Sequence, residues 1–146
     1  MRISTKGRYA LRLMLDIAMN DRDGTPVRVK DIAKRQEVSG KYLEQIVSVL
    51  TKAGYLRSIR GPQGGYLLTK RPDEYTVGMI LRITEGSIEP VPCLEVGSEV
   101  CERVEECMTI PLWRKLSEAI SGVVDHTTLE DLIEWHYAKN GNDYVI

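Results

Sequence analysis

Apolar residues recur at helical spacing over much of the chain, most clearly between Ser39 and Gly54. There Leu43, Ile46, Val47 and Leu50 occupy positions i, i+3, i+4 and i+7, which predicts one buried stripe on a helix. Ser39 is suited to cap the start of this helix and Gly54 to end it. The opposite face carries side-chain types that hydrogen-bond base edges and phosphates: Lys41, Glu44, Gln45 and Ser48.

The segments on either side of this helix predict a winged helix-turn-helix. Helical periodicity indicates a first helix over about residues 6–20 and a short second helix over 30–36, followed by a tight turn. Two helices joined in this way form a helix-turn-helix. Two short β-like runs follow, at 56–59 and 66–69, and predict a hairpin directly after the recognition helix.

A glycine-rich tip joins the two predicted strands. Gly61, Gly64 and Gly65 permit positive φ angles and a close approach of the backbone to another surface. Arg60 stands at the base of the tip, where its side chain is suited to a narrow minor groove. A plain solvated turn is the alternative. A nucleotide-binding loop is disfavoured, because no Gly-Lys-Ser/Thr follows the glycines and the helix comes before them.

Three further helices are predicted after the hairpin. Thr76 is expected to cap a helix that ends near Glu85, and Thr109 a helix that ends near Asp125. A capping box at 127–130 is expected to open a last helix, and the tail at 140–143 reads as a turn. Residues 86–108 lie between the first and second of these three helices. They lack helical periodicity and carry six glutamates and all three cysteines.

This pattern divides the chain into three regions. Residues 1–86 form a winged helix-turn-helix DNA-binding domain, 87–108 a cysteine-bearing loop, and 109–146 a dimerisation helix with a C-terminal helix. The expected fold is mainly α with a small β-hairpin wing. The helix after residue 109 has few partners in so small a chain, which favours a subunit interface over an intradomain core. Its interface candidates are Trp113, Leu116, Ile120 and Val123.

Composition adds a charge asymmetry. The 146 residues are 42% hydrophobic and 28% charged, as in ordinary globular proteins. Residues 1–72 carry 15 Lys and Arg against 6 Asp and Glu, whereas residues 73–146 carry 5 against 15. A basic half suits double-stranded DNA, although an incidental surface pattern is the alternative. The sequence shows no signal peptide, spanning segment or catalytic set, so we expect a cytoplasmic non-enzyme without a membrane partner.

The cysteines are the candidate metal ligands. Cys93, Cys101 and Cys107 are spaced Cys-x7-Cys-x5-Cys, without the close pair typical of zinc sites. Disulfides are improbable in a cytoplasmic protein with an odd number of cysteines. An iron–sulfur cluster, zinc, and unligated or redox-active thiols all remain open. A fourth ligand would come from the partner subunit or from one of five residues: Glu102, Glu105, Glu106, His126 and His136.

Several motifs together carry a family resemblance. The segments at 1–10 (MRISTKGRYA), 42–45 (YLEQ), 60–66 (RGPQGGY) and 112–114 (LWR), with the three cysteines, resemble a family of bacterial winged-helix repressors. Within this family the chain is most similar to the iron–sulfur cluster regulators. The resemblance runs from residue 1 to about residue 135. It implies a homodimer with one [2Fe–2S] cluster per subunit on Cys93, Cys101 and Cys107, supplied by the cluster-assembly machinery.

The resemblance also assigns DNA contacts. It places Lys41, Glu44 and Gln45 at bases in the major groove and Arg60 in the minor groove. The full set of DNA-binding candidates is Arg2, Ser39, Lys41, Tyr42, Glu44, Gln45, Arg60, Gly61 and Gly64. Two departures from the family pattern concern the cluster. The best-known members have a ligand histidine three residues after the third cysteine, where this chain has Ile110, and the first cysteine gap is longer here.

The expected function is therefore an iron–sulfur-sensing transcription repressor of cluster-biogenesis genes. A regulator of the same family that senses thiol redox state or a protein partner, without a cluster, is the main alternative. A related branch of cysteine-metabolism repressors shares the N-terminal half but lacks the cysteine trio. A zinc-stabilised interaction module is a further alternative.

Overall fold

The computed structural model describes residues 2–21, 23–99 and 101–143. Met1 of the N-terminal motif and the last three residues of the predicted 109–146 region thus lie outside the described residues. Within them the fold is mainly helical with one two-stranded antiparallel hairpin, which confirms the expected fold class. The elements are α1 (Thr5–Asn20), α2 (Val29–Gln36), α3 (Gly40–Lys52), β1 (Leu56–Ile59), β2 (Gly65–Leu68), α4 (Val77–Glu85), α5 (Ile110–Val124) and α6 (Leu129–Asp143).

Helix α3 packs against the protein core through the apolar stripe that the sequence predicts. Leu43, Ile46, Val47 and Leu50 are all buried, in one cluster with the apolar side of α1. At the start of α3, the Ser39 hydroxyl accepts a hydrogen bond from the Tyr42 amide at 3.1 Å. At its end Gly54 has a φ of +81°, the left-handed conformation that glycine tolerates best. The polar face of α3 is therefore left to solvent.

A buried carboxylate joins α1 to α2. The Arg35 guanidinium donates to Asp16 Oδ1 at 2.7 Å, and Gln36 Nε2 donates to Oδ2 at 2.9 Å. The Asp16 side chain is only 2% exposed, so these hydrogen bonds supply the solvation that its charge loses on burial. The pair sets the angle of α2 against α1, and α2 leads into α3. Helical periodicity alone did not indicate this contact.

Tyr75 fastens the base of the hairpin. Its ring is fully buried, and its hydroxyl donates to the Tyr55 carbonyl at 2.9 Å. The same oxygen accepts hydrogen bonds from the backbone amides of Thr69 and Lys70, each at 3.0 Å. One side chain thereby connects the residue before β1 with the two residues after β2. These bonds fix the hairpin against the helical core.

The C-terminal helix returns to the N-terminal core. Leu129, the first residue of α6, is fully buried, and its amide donates to the Tyr75 carbonyl at 3.0 Å. The Val77 amide donates to Thr127 O at 2.8 Å, which joins the start of α4 to the start of α6. The start of α6 thus packs on the winged helix, although the sequence assigned residues 109–146 to a separate region.

Two local predictions in the C-terminal part are wrong, and a third is confirmed only in part. The capping box of α6 is formed by Thr128 and Asp131, one residue later than predicted. The predicted turn at 140–143 is the end of α6, because a helix already nucleated can continue through residues of weak propensity. Thr109 is the N-cap residue of α5, with Pro111 in the first turn, as predicted. Its side chain makes no capping hydrogen bond, however, and its hydroxyl contacts the Cys107 sulfur instead.

The second strand of the hairpin is shifted by one residue from its prediction, since β2 spans Gly65–Leu68 and the sequence predicted 66–69. Its register pairs Leu56 with Leu68 and Ile59 with Gly65. Over the described part of the chain, every helix is too short or too polar to cross a membrane.

Candidate DNA interface and cysteine cleft

The exposed face of α3 carries the predicted base-reading side chains. Lys41, Glu44 and Gln45 all lie on the solvent side of the helix, opposite the buried stripe. Ser39 is exposed too; its hydroxyl accepts the cap hydrogen bond, and its proton is still available to donate to a phosphate. At these positions lysine and glutamine can donate hydrogen bonds to acceptors on base edges, and glutamate and glutamine can accept hydrogen bonds from donors there.

Tyr42 is only half exposed, because it packs within the protein. Its ring meets the Tyr9 ring edge to face, with centroids 6.1 Å apart. The Arg12 guanidinium lies 4.7 Å from the Tyr9 centroid and donates to Gln36 Oε1 at 2.9 Å. This stack supports the start of α3 from α1 and α2. Sequence reasoning missed the contribution of Tyr9 and Arg12, whose i, i+3 spacing on α1 was the only available signal.

The wing presents Arg60 at its exposed end. Gly61 has a φ of +107°, and a Cβ added to Gly64 would lie 2.2 Å from the Ile59 carbonyl oxygen. Both glycines are therefore required by the turn itself, which is a structural reason for their presence. Arg28, just before α2, donates to the Pro62 carbonyl and ties the tip to the helix-turn-helix. Sequence reasoning did not single out Arg28.

Arg2 is also exposed and precedes the well-anchored start of α1. The amide and hydroxyl of Ser4 both donate to Glu85 Oε1, at 3.0 and 2.6 Å. Ser4 also caps α1 through the Gly7 amide. This clamp to the end of α4 limits where the Arg2 side chain can reach.

The three cysteines line one cleft of about 330 Å³ beside the start of α5. Cys93 lies in a 3₁₀ turn at Pro92–Leu94, and Cys101 and Cys107 flank the turn at 102–106 that precedes α5. All three thiols are free, and Cys93 and Cys101 are exposed. Among the described residues, no three Cys, His, Asp or Glu side chains are close enough together to hold a metal ion. The fold thus assembles the sulfur donors in one cleft without closing them around an ion.

The Cys107 thiol lies in a hydrogen-bonding environment that favours its anion. Its sulfur is 3.4 Å from the Thr109 hydroxyl. Hydrogen bonds from the Thr109 side chain, and then from the Thr109 and Ile110 backbone, hold the pKa of Cys107 below its ordinary value. A thiolate is both the metal-binding and the nucleophilic form of cysteine. The cleft therefore has donor chemistry that fits an iron–sulfur cluster.

Thr109→Val is expected to raise the pKa of Cys107, because it removes the hydroxyl while preserving the branched shape. We expect the pH dependence of Cys107 alkylation by iodoacetamide to move to higher pH in a Cys93→Ser/Cys101→Ser background. Below the wild-type pKa both proteins should react slowly, and well above the variant's pKa they should react alike. Thr127→Val is the matched control, since Thr127 contacts the Val123 carbonyl instead. Superimposable profiles would contradict the assigned role.

The outer face of α5 is largely uncovered in the single chain. Leu116 and Val123 are 39% and 64% exposed, and Trp113 and Ile120 are partly buried. Ile120 and Val123 also line an apolar groove of about 340 Å³ that reaches Ile3 and Leu81. An apolar helix face of this kind beside a groove is characteristic of protein interfaces.

The recognition helix, the wing and the connecting hydrogen bonds define a winged-helix DNA-binding protein with a thiol-lined cleft beside its long helix. The chain belongs to the Rrf2 family of iron-dependent transcriptional regulators, whose family model matches residues 3–135. It is 44% identical over 133 residues to the HTH-type transcriptional regulator IscR of Serratia proteamaculans, covering 91% of this chain and 79% of that protein.

Two solved structures extend the comparison. CymR, the global cysteine regulator of B. subtilis, matches with a TM-score of 0.75 and 41% identity, over 92% of this chain and 98% of that one. T. potens IscR matches with a TM-score of 0.69 and 36% identity, over 92% and 87%. The chain is thus a transcription regulator, similar both to regulators named IscR and to a global cysteine regulator.

Proposed function

We propose that the protein is an iron–sulfur-sensing repressor of cluster-biogenesis genes that binds double-stranded DNA as a homodimer. Cys93, Cys101 and Cys107 would hold one [2Fe–2S] cluster per subunit. The observation that carries the proposal is the convergence of these three thiols on one cleft, in a winged-helix chain that belongs to a family of iron-dependent regulators.

The proposed DNA contacts follow from exposure and chemistry. The exposed Lys41, Glu44 and Gln45 would read base edges from α3, while Arg60 on the wing would enter the minor groove. Glutamate accepts from cytosine and repels an ill-matched base, so Glu44 would discriminate between classes of operator. The excess of positive charge in residues 1–72 would add phosphate attraction that weakens with salt.

The homodimer is proposed from the uncovered face of α5. A helix-turn-helix protein gains affinity when two copies span two half-sites about a two-fold axis. Trp113, Leu116, Ile120 and Val123 would form the contact, with the apolar groove beside Ile120 receiving side chains of the second copy. Burial of the 64% exposed Val123 would supply part of the driving force.

The fraction of protein that carries a cluster would fall when cluster supply is low or when oxidation destroys the cluster. This occupancy would be the signal that the regulator senses. The cleft is connected to the DNA-reading unit by contacts of α5. Ser117 on α5 donates to Glu89 at the start of the loop, and Arg82 on α4 pairs with Asp125 just after α5, with one oxygen–nitrogen distance of 3.0 Å. Because α4 packs against α1 and α3, a loop drawn in by its thiolates would bias the placement of the recognition helix.

The test is DNA binding by cluster-loaded and cluster-free protein. We expect the affinity for at least one promoter of cluster-biogenesis genes to differ by about 5- to 150-fold between the two forms, the usual range of allosteric coupling. Fluorescence anisotropy under anaerobic conditions would measure it. A Cys93→Ala/Cys101→Ala/Cys107→Ala variant should match the cluster-free form. Equal affinities on every native promoter would defeat the sensor proposal.

A thiol-based regulator is the second candidate. It is favoured by the similarity to CymR and by the lowered pKa of the half-buried thiol Cys107, because oxidation proceeds through the thiolate. Colourless protein after anaerobic isolation, together with DNA binding that changes on mild oxidation, would establish this candidate over the cluster sensor.

A further inference from the structure

The three cysteines leave the proposed cluster one protein ligand short. A [2Fe–2S] cluster takes four protein ligands, usually thiolates and sometimes histidines. Ile110 stands where related regulators have the fourth ligand, and it is a buried apolar residue on the wall of the cleft. It has no donor atom, so another residue must complete the set.

We propose that Glu99 is the fourth ligand, an inference that rests on the proposed cluster function. Glu99 lines the same cleft as Cys93, Cys101 and Cys107. Its side chain is exposed and has no hydrogen bond or ion pair with any residue that the structure describes. A carboxylate without a partner, in the cleft that the three thiols also line, is available to bind a metal.

The other candidates lie outside this cleft. None of Glu102, Glu105, Glu106, His126 and His136 lines it. His126 follows the end of α5, whereas Cys107 precedes its start, so roughly 20 Å of helix separates them. His136 Nε2 lies 3.0 Å from Asn140 Nδ2 on α6. Within one chain, position therefore favours Glu99.

Chemistry also separates Glu99 from Ser98, the other oxygen donor in the cleft. The Ser98 hydroxyl donates to the Cys93 carbonyl at 3.4 Å and would have to lose its proton to bind iron as an anion. Glu99 instead offers a carboxylate with two oxygen donors. Arg114 on the same cleft wall offsets part of the negative charge that three thiolates and a carboxylate accumulate.

Substitutions of Glu99 are therefore expected to change the ligand set of the cluster. Glu99→Gln keeps the size of the side chain but removes its charge. Glu99→His and Glu99→Cys replace it with the nitrogen and sulfur ligands that these clusters normally use. Glu95→Gln is the matched control, because Glu95 is an exposed glutamate of the same loop that does not line the cleft.

The experiment is anaerobic reconstitution of the full chain with ferrous iron and sulfide. Iron and sulfide per chain, visible absorption and circular dichroism, midpoint potential, and the rate of iron release to a chelator would be measured for each variant. We expect Glu99→Gln to release iron at least about tenfold faster than wild type, with a changed spectrum, while Glu95→Gln behaves as wild type. Glu99→His should restore retention at a higher midpoint potential than Glu99→Cys.

The outcomes separate the two proposals. If wild-type protein binds no iron and sulfide, the proposed cluster function fails. If wild type loads but Glu99→Gln keeps its spectrum, potential and release rate, the function stands and the Glu99 assignment is overturned. Equal changes in Glu99→Gln and Glu95→Gln would also overturn it, since they would indicate a general effect of loop charge. Thermal unfolding of the cluster-free variants checks that each remains folded.

Discussion

Ile46→Ala is expected to lower the free energy of unfolding by about 3 kcal/mol. Ile46 is fully buried under α3, in the cluster that α1 shares. Truncation removes buried methylene groups and leaves a cavity that the surrounding helices can only partly fill, so both losses add. Urea denaturation followed by circular dichroism would measure the change, and the transition midpoint should fall while its slope stays constant.

Ser48→Ala is the matched control on the opposite face of α3. Ser48 is exposed, so we expect a change of no more than about 0.5 kcal/mol. For Ile46→Ala, the loss of DNA-binding free energy, measured well below the unfolding temperature, should be smaller than the loss of unfolding free energy. The reason is that the base-reading face is unchanged. A loss of stability no larger than that of Ser48→Ala would mean that α3 is not held by its buried stripe.

Gly64→Ala is expected to weaken DNA binding by about tenfold or more, comparable to the loss of one good base contact. The added Cβ would lie 2.2 Å from the Ile59 carbonyl oxygen and 2.9 Å from that of Gly61. Both are backbone atoms, so the turn itself must open rather than a side chain move aside. That displaces Arg60, the side chain proposed to enter the minor groove. Anisotropy titration against an operator fragment would measure the loss.

Gln63→Ala tests whether the effect comes from the shape of the turn. Gln63 is an exposed residue of the same tip, and its truncation leaves the backbone free to keep its conformation. We expect near-wild-type affinity. The unfolding transition of Gly64→Ala should remain cooperative, because Tyr75 still fastens the hairpin base. Wild-type DNA affinity in Gly64→Ala would show that the wing makes no contribution to binding.

The helix-turn-helix and wing were predictable because their signals are local. The i, i+3, i+4, i+7 stripe on α3, the Ser39 cap and the Gly54 end all depend on residues within one helix. The hairpin followed from two β-like runs around glycines. Where such signals failed, at 127–130 and 140–143, the error lay in the exact end of an element, the least reliable feature of a sequence pattern.

The cysteine cleft was predictable only in part. Spacing identified Cys93, Cys101 and Cys107 as candidate ligands but could not place their neighbours. The side chains that share the cleft with them, Glu99 and Arg114, come from the loop and from α5. Periodicity is absent in this loop, so the sequence carried no information about which of its six glutamates faces the sulfurs. The [2Fe–2S] ligand set itself stays a proposal.

The sequence by itself determined the order of the elements, the buried and exposed faces of the first helices, the basic and acidic halves, and the family. These depend on local propensity and on which side chains avoid water. Only the tertiary structure decided that Asp16 pairs with Arg35, that Tyr75 fastens the hairpin, and that Leu129 returns to the first core. Such contacts join residues up to some fifty positions apart, and their partners are selected by packing geometry, which no local pattern encodes.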